Sequence, residues 1–250
     1  MRSRQPAAGR ADSSWLGGAL KHHADELRQA CEPLAQLSDE ELGAQLLAAA
    51  PLQTRPHAQL LQWSRACVDF GRELSEAAGT APDEQSWAAR HGVEIIEQAG
   101  QGPQSLVIAQ YTTRPPRIVL CAETVRFAEA VIDILQWRTD FGDQPVRSLA
   151  IRHEIAHRTL DGTASRELSR RLGVRSLRLG PIHLTGHVLG ADELVCHAFA
   201  QHQLPTIHRS ALALAVALNR AAAIAWRSSQ HQFPTLSPVQ PGWRSASWAS

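Results

Sequence analysis

The sequence predicts an α+β fold: a helical front, a small antiparallel sheet, and then a second set of helices. Three observations carry that expectation. Apolar residues recur at helical spacing through the first part of the chain, to about position 78. Three short runs rich in β-branched residues follow between 93 and 123, with Gly or Pro between them. Beyond 123 the helical period returns. With 250 residues and 44% hydrophobic composition, the chain is long enough to bury a substantial core.

In order, residues 1–13 read as a disordered leader and 14–82 as a helical N-terminal segment. Its first helix begins near Ser14, with Leu16, Leu20, Ala24, Leu27 and Cys31 on one face. SDEE at 38–41 is a capping-box signal, Ser38 being the cap and Glu41 the residue three on. The helix it opens ends at the alanines before Pro51. A third helix over about 57–78 places Leu60, Trp63, Cys67, Phe70, Leu74 and Ala77 in a seam that suits packing against its neighbours. GTAPDEQ, 79–85, reads as a joint. The main domain then spans 83–228. VEIIEQA, SLVIAQYTT and RIVLCAE are its strands, and an apolar helix over about 124–138 turns Phe127, Val131, Ile134 and Leu135 inward. Another helix covers about 146–160, ending where Gly162 supplies a C-terminal turn, and two more fit about 188–202 and 206–227. Residues 229–250, rich in Ser, Pro and Gln and containing Trp243 and Trp248, read as a flexible tail.

Charge and cysteine usage narrow the function classes. A formal net charge of +1 argues against a general nucleic-acid or membrane-surface binder. The 4 cysteines show no CxxC spacing, so they form neither a zinc ribbon nor a disulfide framework. The first residues carry arginines without an apolar core behind them, unlike a secretory signal. The most apolar run, 211–226, is interrupted by Asn219 and Arg220 and falls short of the roughly 20 residues a membrane span needs. The expectation is a soluble, cytoplasmic chain.

The chemistry gathers in SLAIRHEIAHRTLDG, 148–162. On a helix, His153 and His157 lie four apart on one face and can offer imidazole nitrogens to one ion. Zinc suits them, since it takes nitrogen and oxygen ligands tetrahedrally. Glu154, beside the first ligand, is placed as a general base and acid for a water that the ion acidifies. HExxH on a helix is the usual pattern of metal-assisted peptide hydrolysis. Apolar Leu149, Ala150, Ile151, Ile155, Ala156 and Leu160 make the helix amphipathic, and the strands upstream offer an edge for extended substrate. Arg152 and Arg158 flank the motif, where a buried helix is expected to carry no charge.

A third ligand is needed, and spacing leaves several open. Glu193 and His197 are four apart on one expected helix face; His183 and His187 repeat the interval, but Gly186 weakens a helix there. An oxyanion stabiliser is also expected, with Tyr111, His183, His187 and His197 as candidates. The arginines at 152, 158, 166, 170, 171, 175 and 178 read either as a solvated helix face and loop or as a patch for an acidic partner.

RHEIAH after a short sheet and helix, together with ELVCHAFA, resembles the ImmA/IrrE metallopeptidases, zincins with a glutamate ligand. The similarity covers roughly 90–205. The resemblance implies a zincin-like domain with Glu193 as third zinc ligand, Cys196 in the family's small position, His197 in its polar one, and Phe199–Ala200 following. QHQLP stands where the family has a leucine-rich stretch ending in proline, one residue early and more polar. The resemblance further implies an intracellular bacterial endopeptidase directed at one protein partner, such as a DNA-binding repressor. Some relatives act by binding, so the alternative is a non-proteolytic regulatory module that keeps a structural metal site. A hydrolase of small amides is a third reading, which an open cleft beside an exposed strand would disfavour.

Overall fold

The computed structural model describes residues 20–51, 53–79, 83–99, 107–143, 145–174, 176–179, 182–185 and 187–232. The expected leader, Leu16, and Trp243 and Trp248 of the expected tail lie outside them. At the front, α1 (Ala24–Cys31), a 3-10 turn (Glu32–Gln36), α2 (Asp39–Ala48) and α3 (His57–Ala78) follow in order. Helix α4 (Glu84–His91) leads to β1 (Glu94–Gln98), β2 (Ala109–Thr113) and β3 (Pro116–Cys121). Then come α5 (Ala122–Ile134), the short α6 (Arg138–Phe141), α7 (Pro145–Thr159) and α8 (Gly162–Arg171). A hairpin of β4 (Ser176–Leu179) and β5 (Ile182–Thr185) precedes α9 (Ala191–His202) and α10 (Ala211–Gln232).

Local chemistry accounts for the front. Ser38 accepts from the Glu41 N–H while the Glu41 carboxylate accepts from the Ser38 N–H, so the expected capping box opens α2. On α3, Leu60, Trp63, Cys67 and Phe70 are buried as the seam requires, and Leu74 is half-buried. The seam drifts at its end: Ala77 is exposed and Ser75 is buried instead. There Gln203 donates to the Ser75 carbonyl at 3.1 Å, its hydroxyl at 2.8 Å and the Gly79 carbonyl at 3.0 Å, tying the end of α3 to the end of α9. Gln201 Oε1 accepts the Ala211 N–H at 2.8 Å, satisfying a free donor at the start of α10. The polar character of QHQLP is thus structural.

Helices α1 to α3 share one hydrophobic core with the helices after the sheet. The contact between α3 and α9 is especially close. A Cβ placed on Gly71 would lie 2.5 Å from the Val195 carbonyl oxygen, so only glycine lets the two backbones approach this far. In α10, Arg220 reaches the Ala30 carbonyl and, at 3.0 Å, Gln45 Oε1, explaining the charge inside that apolar run. Among the described residues no helix is long and apolar enough to cross a membrane.

Several expectations are corrected. The sheet is mixed: its order is β1-β3-β2, with β1 parallel to β3 and β2 antiparallel to it. Alternation identifies strands but not their neighbours, and the segment joining Gln98 to Ala109 is too long to enforce a hairpin. Helix α4 begins within the last two residues of the expected joint, and α8 follows directly on the expected end of α7. Asp83 accepts the Ser86 N–H at 2.7 Å to open α4, and Asp161 accepts from Thr163 and Ala164 to open α8, so Gly162 begins a helix instead of ending one. Helix α10 continues to Gln232, four residues into the expected tail.

Candidate metal centre

Helix α7 begins with Pro145, which suits a first helical turn because its missing N–H would have no partner there. It runs through the interior between the sheet, α5 and α9, and residues 149–156 are all buried. The expected conflict at Arg152 disappears in this setting. Its side chain is 5% exposed and faces Glu84 of α4 at 3.5 Å, so the charge is buried with a counter-ion supplied by a helix not foreseen. Arg158 lies over the Trp87 ring at 5.6 Å, adding a second tie between α4 and α7.

Glu193 arrives from α9. Gly190 sets the start of that helix with φ at 86°, a left-handed conformation that glycine adopts without steric cost. Three residues on, Glu193 sits in the first turn, where the helix dipole favours a carboxylate. The packing of α9 on α7 then brings three side chains together. His153 Nε2 lies 3.1 Å from His157 Nε2 and 3.1 Å from Glu193 Oε2, while Glu193 Oε1 lies 3.4 Å from His157 Nε2. Cys196, one turn further along α9 and fully buried, belongs to the same cluster: its sulfur and one nitrogen of each histidine are all within 4.8 Å of one another.

The electrostatics follow from confinement. Burial opposes the Glu193 charge, yet hydrogen bonds from His153 and His157, and the positive charge they carry when protonated, hold its carboxyl well below the usual range. Burial likewise opposes a charged His157, but Cys196 and Glu193 beside it push it up to about 12. The Cys196 thiol is pushed up to about 11 by burial, against the pull of His157. His197 is lowered to about 3 by burial and by the neighbouring His153, its ring centroid 4.5 Å from that of His153. It is a neutral imidazole at physiological pH.

Glu154 points to the sheet. Its Oε2 accepts the Tyr111 N–H at 2.8 Å, so the carboxylate is fastened to β2, one of the two edge strands of the three-stranded sheet. Tyr111 therefore enters through its main chain. His187 is exposed, with Nε2 3.5 Å from Asp192 Oδ2, the carboxylate preceding Glu193. His183 lies on β5 paired with Arg178, so the four-residue interval to His187 is no helix face.

The donor set can be tested against an ion. Tetrahedral zinc with bonds of roughly 2.0–2.1 Å keeps its nitrogen and oxygen ligands about 3.3 Å apart. The two histidine nitrogens, 3.1 Å apart, and the His153–Glu193 Oε2 pair, also 3.1 Å, lie close to that value, while His157 meets the other carboxylate oxygen, Oε1, at 3.4 Å. Glu193 Oε1 is buried with only the 3.4 Å approach of His157 Nε2, and two imidazole nitrogens face each other, an arrangement that a shared cation would satisfy. The residues fit. What they define is a mixed α+β chain with a buried histidine-rich cluster able to hold a metal ion. No protein-family model, curated protein or solved structure matches the chain.

Of the residues the sequence singled out, His153, His157, Glu193 and His197 come together, and Glu154 lies on the same helix with its carboxylate at the edge strand. For Cys196 the sequence offers only the small position of the resembled family's second motif. Its spacing of three from Glu193 on one helix was the available signal.

Proposed function

We propose that the chain is a zinc-dependent endopeptidase of the zincin type, acting on a protein partner. The observation that carries the reading is the convergence of His153, His157 and Glu193 within 3.1 to 3.4 Å of one another, with Glu154 held against an edge strand. His153, His157 and Glu193 would hold the ion. When bound, zinc supplies Lewis acidity, polarising the scissile carbonyl and acidifying the attacking water.

The chain's own groups do the remaining work. Glu154 keeps one carboxylate oxygen on the Tyr111 N–H, which orients the other to take a proton from the water and return it to the departing amine. Strand β2, with one edge not covered by a partner strand of its sheet, offers main-chain groups to an extended segment, which favours a protein substrate over a small amide. His197, neutral and packed on His153, steadies that ring. The resemblance to the ImmA/IrrE peptidases makes a bacterial regulatory protein, such as a repressor, the substrate to try first. The proposed setting is the cytoplasm, without direct contact to nucleic acid or membrane.

One observation favours the second reading, a regulatory binding module with a structural metal. Cys196 stands where it could complete four protein ligands, and a site that stays closed in that way is structural. Glu154→Gln separates the two. Glutamine keeps the side chain's size but cannot take the proton, so zinc content and partner binding should stay near wild type while cleavage stops. If wild type and variant regulate the partner equally, and neither yields a cleaved product, the peptidase reading fails.

A further inference from the structure

We propose that Cys196 is a fourth protein donor to the ion, so that the resting site is closed by its sulfur. The inference rests on the metal-site reading above and adds a regulation of that site. Glu193 and Cys196 are three apart on α9 and so face the same way, toward the two histidines of α7. The Cys196 side chain is buried, and its sulfur and the histidine nitrogens all lie within 4.8 Å. In a tetrahedral site with a zinc–sulfur bond of about 2.3 Å, sulfur stands about 3.6 Å from a nitrogen ligand. The thiol therefore has at most about 1.2 Å to close, which a modest χ1 rotation and ion-driven contraction supply.

Among the described residues, none of the other cysteines joins the group of closely spaced donors: Cys31 and Cys67 are buried, and Cys121 is the last residue of β3. Cys121 is engaged locally, accepting from the Thr124 hydroxyl at 3.0 Å. Sulfur ligation replaces the S–H bond by a sulfur–metal bond, with the proton leaving to solvent. Thiolate also deepens zinc preference over harder ions. A site with four protein donors leaves no position for water, so hydrolysis would begin only after Cys196 swings away. A partner that shifts α9 against α7 would do this. The thiol would then be the latch of an otherwise hydrolytic centre.

Cobalt tests this by a readout independent of activity. The full chain, stripped of metal and loaded with one equivalent of Co2+, should show visible bands of a four-coordinate ion and a near-ultraviolet sulfur-to-cobalt charge-transfer band. Cys196→Ala and Cys196→Ser should keep the bound cobalt but lose the charge-transfer band, with zinc affinity reduced about tenfold or more. The serine variant preserves side-chain size, and the wild-type spectrum decides the question even if the alanine variant misfolds. Stoichiometric cobalt in the wild type without the charge-transfer band would overturn the inference and leave the metal site intact, with Cys196 only packing beside His157. A band that persists in both variants would belong to another cysteine and would overturn the inference equally. Failure to bind cobalt or zinc at all would overturn both this inference and the function proposed above.

Discussion

The close approach of α3 to α9 makes Gly71→Ala a sharp probe of how the front helices support the site. The added Cβ would stand 2.5 Å from the Val195 carbonyl oxygen, 2.8 Å from Ala198 Cβ and 3.1 Å from the Phe199 nitrogen. Two of these obstacles are backbone, so no rotamer change relieves them. Restoring even a tight 3.0 Å contact requires α9 to move by about 0.5 Å, the tolerance within which a site must be held. Overpacking of this kind costs about 1–3 kcal/mol. Alanine recovers about 0.5–1 kcal/mol through helix propensity. The backbone obstacles place the clash in the upper part of its range, for a net loss of about 1–2 kcal/mol. At about 2–4 °C per kcal/mol for a chain of this size, Tm should fall by about 2–8 °C. Val195 lies between Glu193 and Cys196, so the displacement reaches the donors directly. Zinc affinity, measured by competition with a chromophoric chelator, should drop about tenfold or more alongside Tm in excess chelator. A variant with unchanged Tm and unchanged zinc affinity would refute the idea that α3 sets the position of α9.

Two further outcomes follow from the same geometry. Glu193→Ala should weaken zinc binding strongly, and His197→Ala by a smaller factor, on the order of ten- to a hundredfold; the reverse ranking in a chelator competition would transfer the ligand role to His197. His157, raised to about 12 without metal, carries its proton through the neutral range and must lose it to ligate. Zinc binding near pH 7 should therefore release a proton from His157, and a second where the Cys196 thiol ligates, with affinity rising about tenfold per pH unit for each proton displaced. Calorimetry in buffers of different ionisation enthalpy measures the count, and a release of zero would contradict the assignment.

Much of this molecule is legible in the residues, and the exceptions share causes. HExxH is local: both histidines lie on one helix, so helical geometry alone brings them together. Glu193 became legible through a second motif on α9. Cys196 did not, because a small residue one turn after a glutamate serves packing as well as ligation. Arg152 read as a surface charge because its partner, Glu84, sits on a helix whose start resembles a joint. Helices α4 and α8 both open on an aspartate cap, Asp83 and Asp161, but the neighbouring Pro and Gly are loop signals that compete with it. The order of the sheet depended on a long connection that local pattern does not specify.

The central claim is that His153, His157 and Glu193 form one metal site. Metal analysis of the purified full chain, alongside His157→Ala, tests it most directly. The site as described requires about one zinc per wild-type chain and a large loss of retained zinc in the variant, since without His157 at most His153, Glu193 and Cys196 are left to hold the ion. Stoichiometric zinc retained by His157→Ala would contradict it, as would a wild-type chain that neither carries zinc nor binds it when supplied.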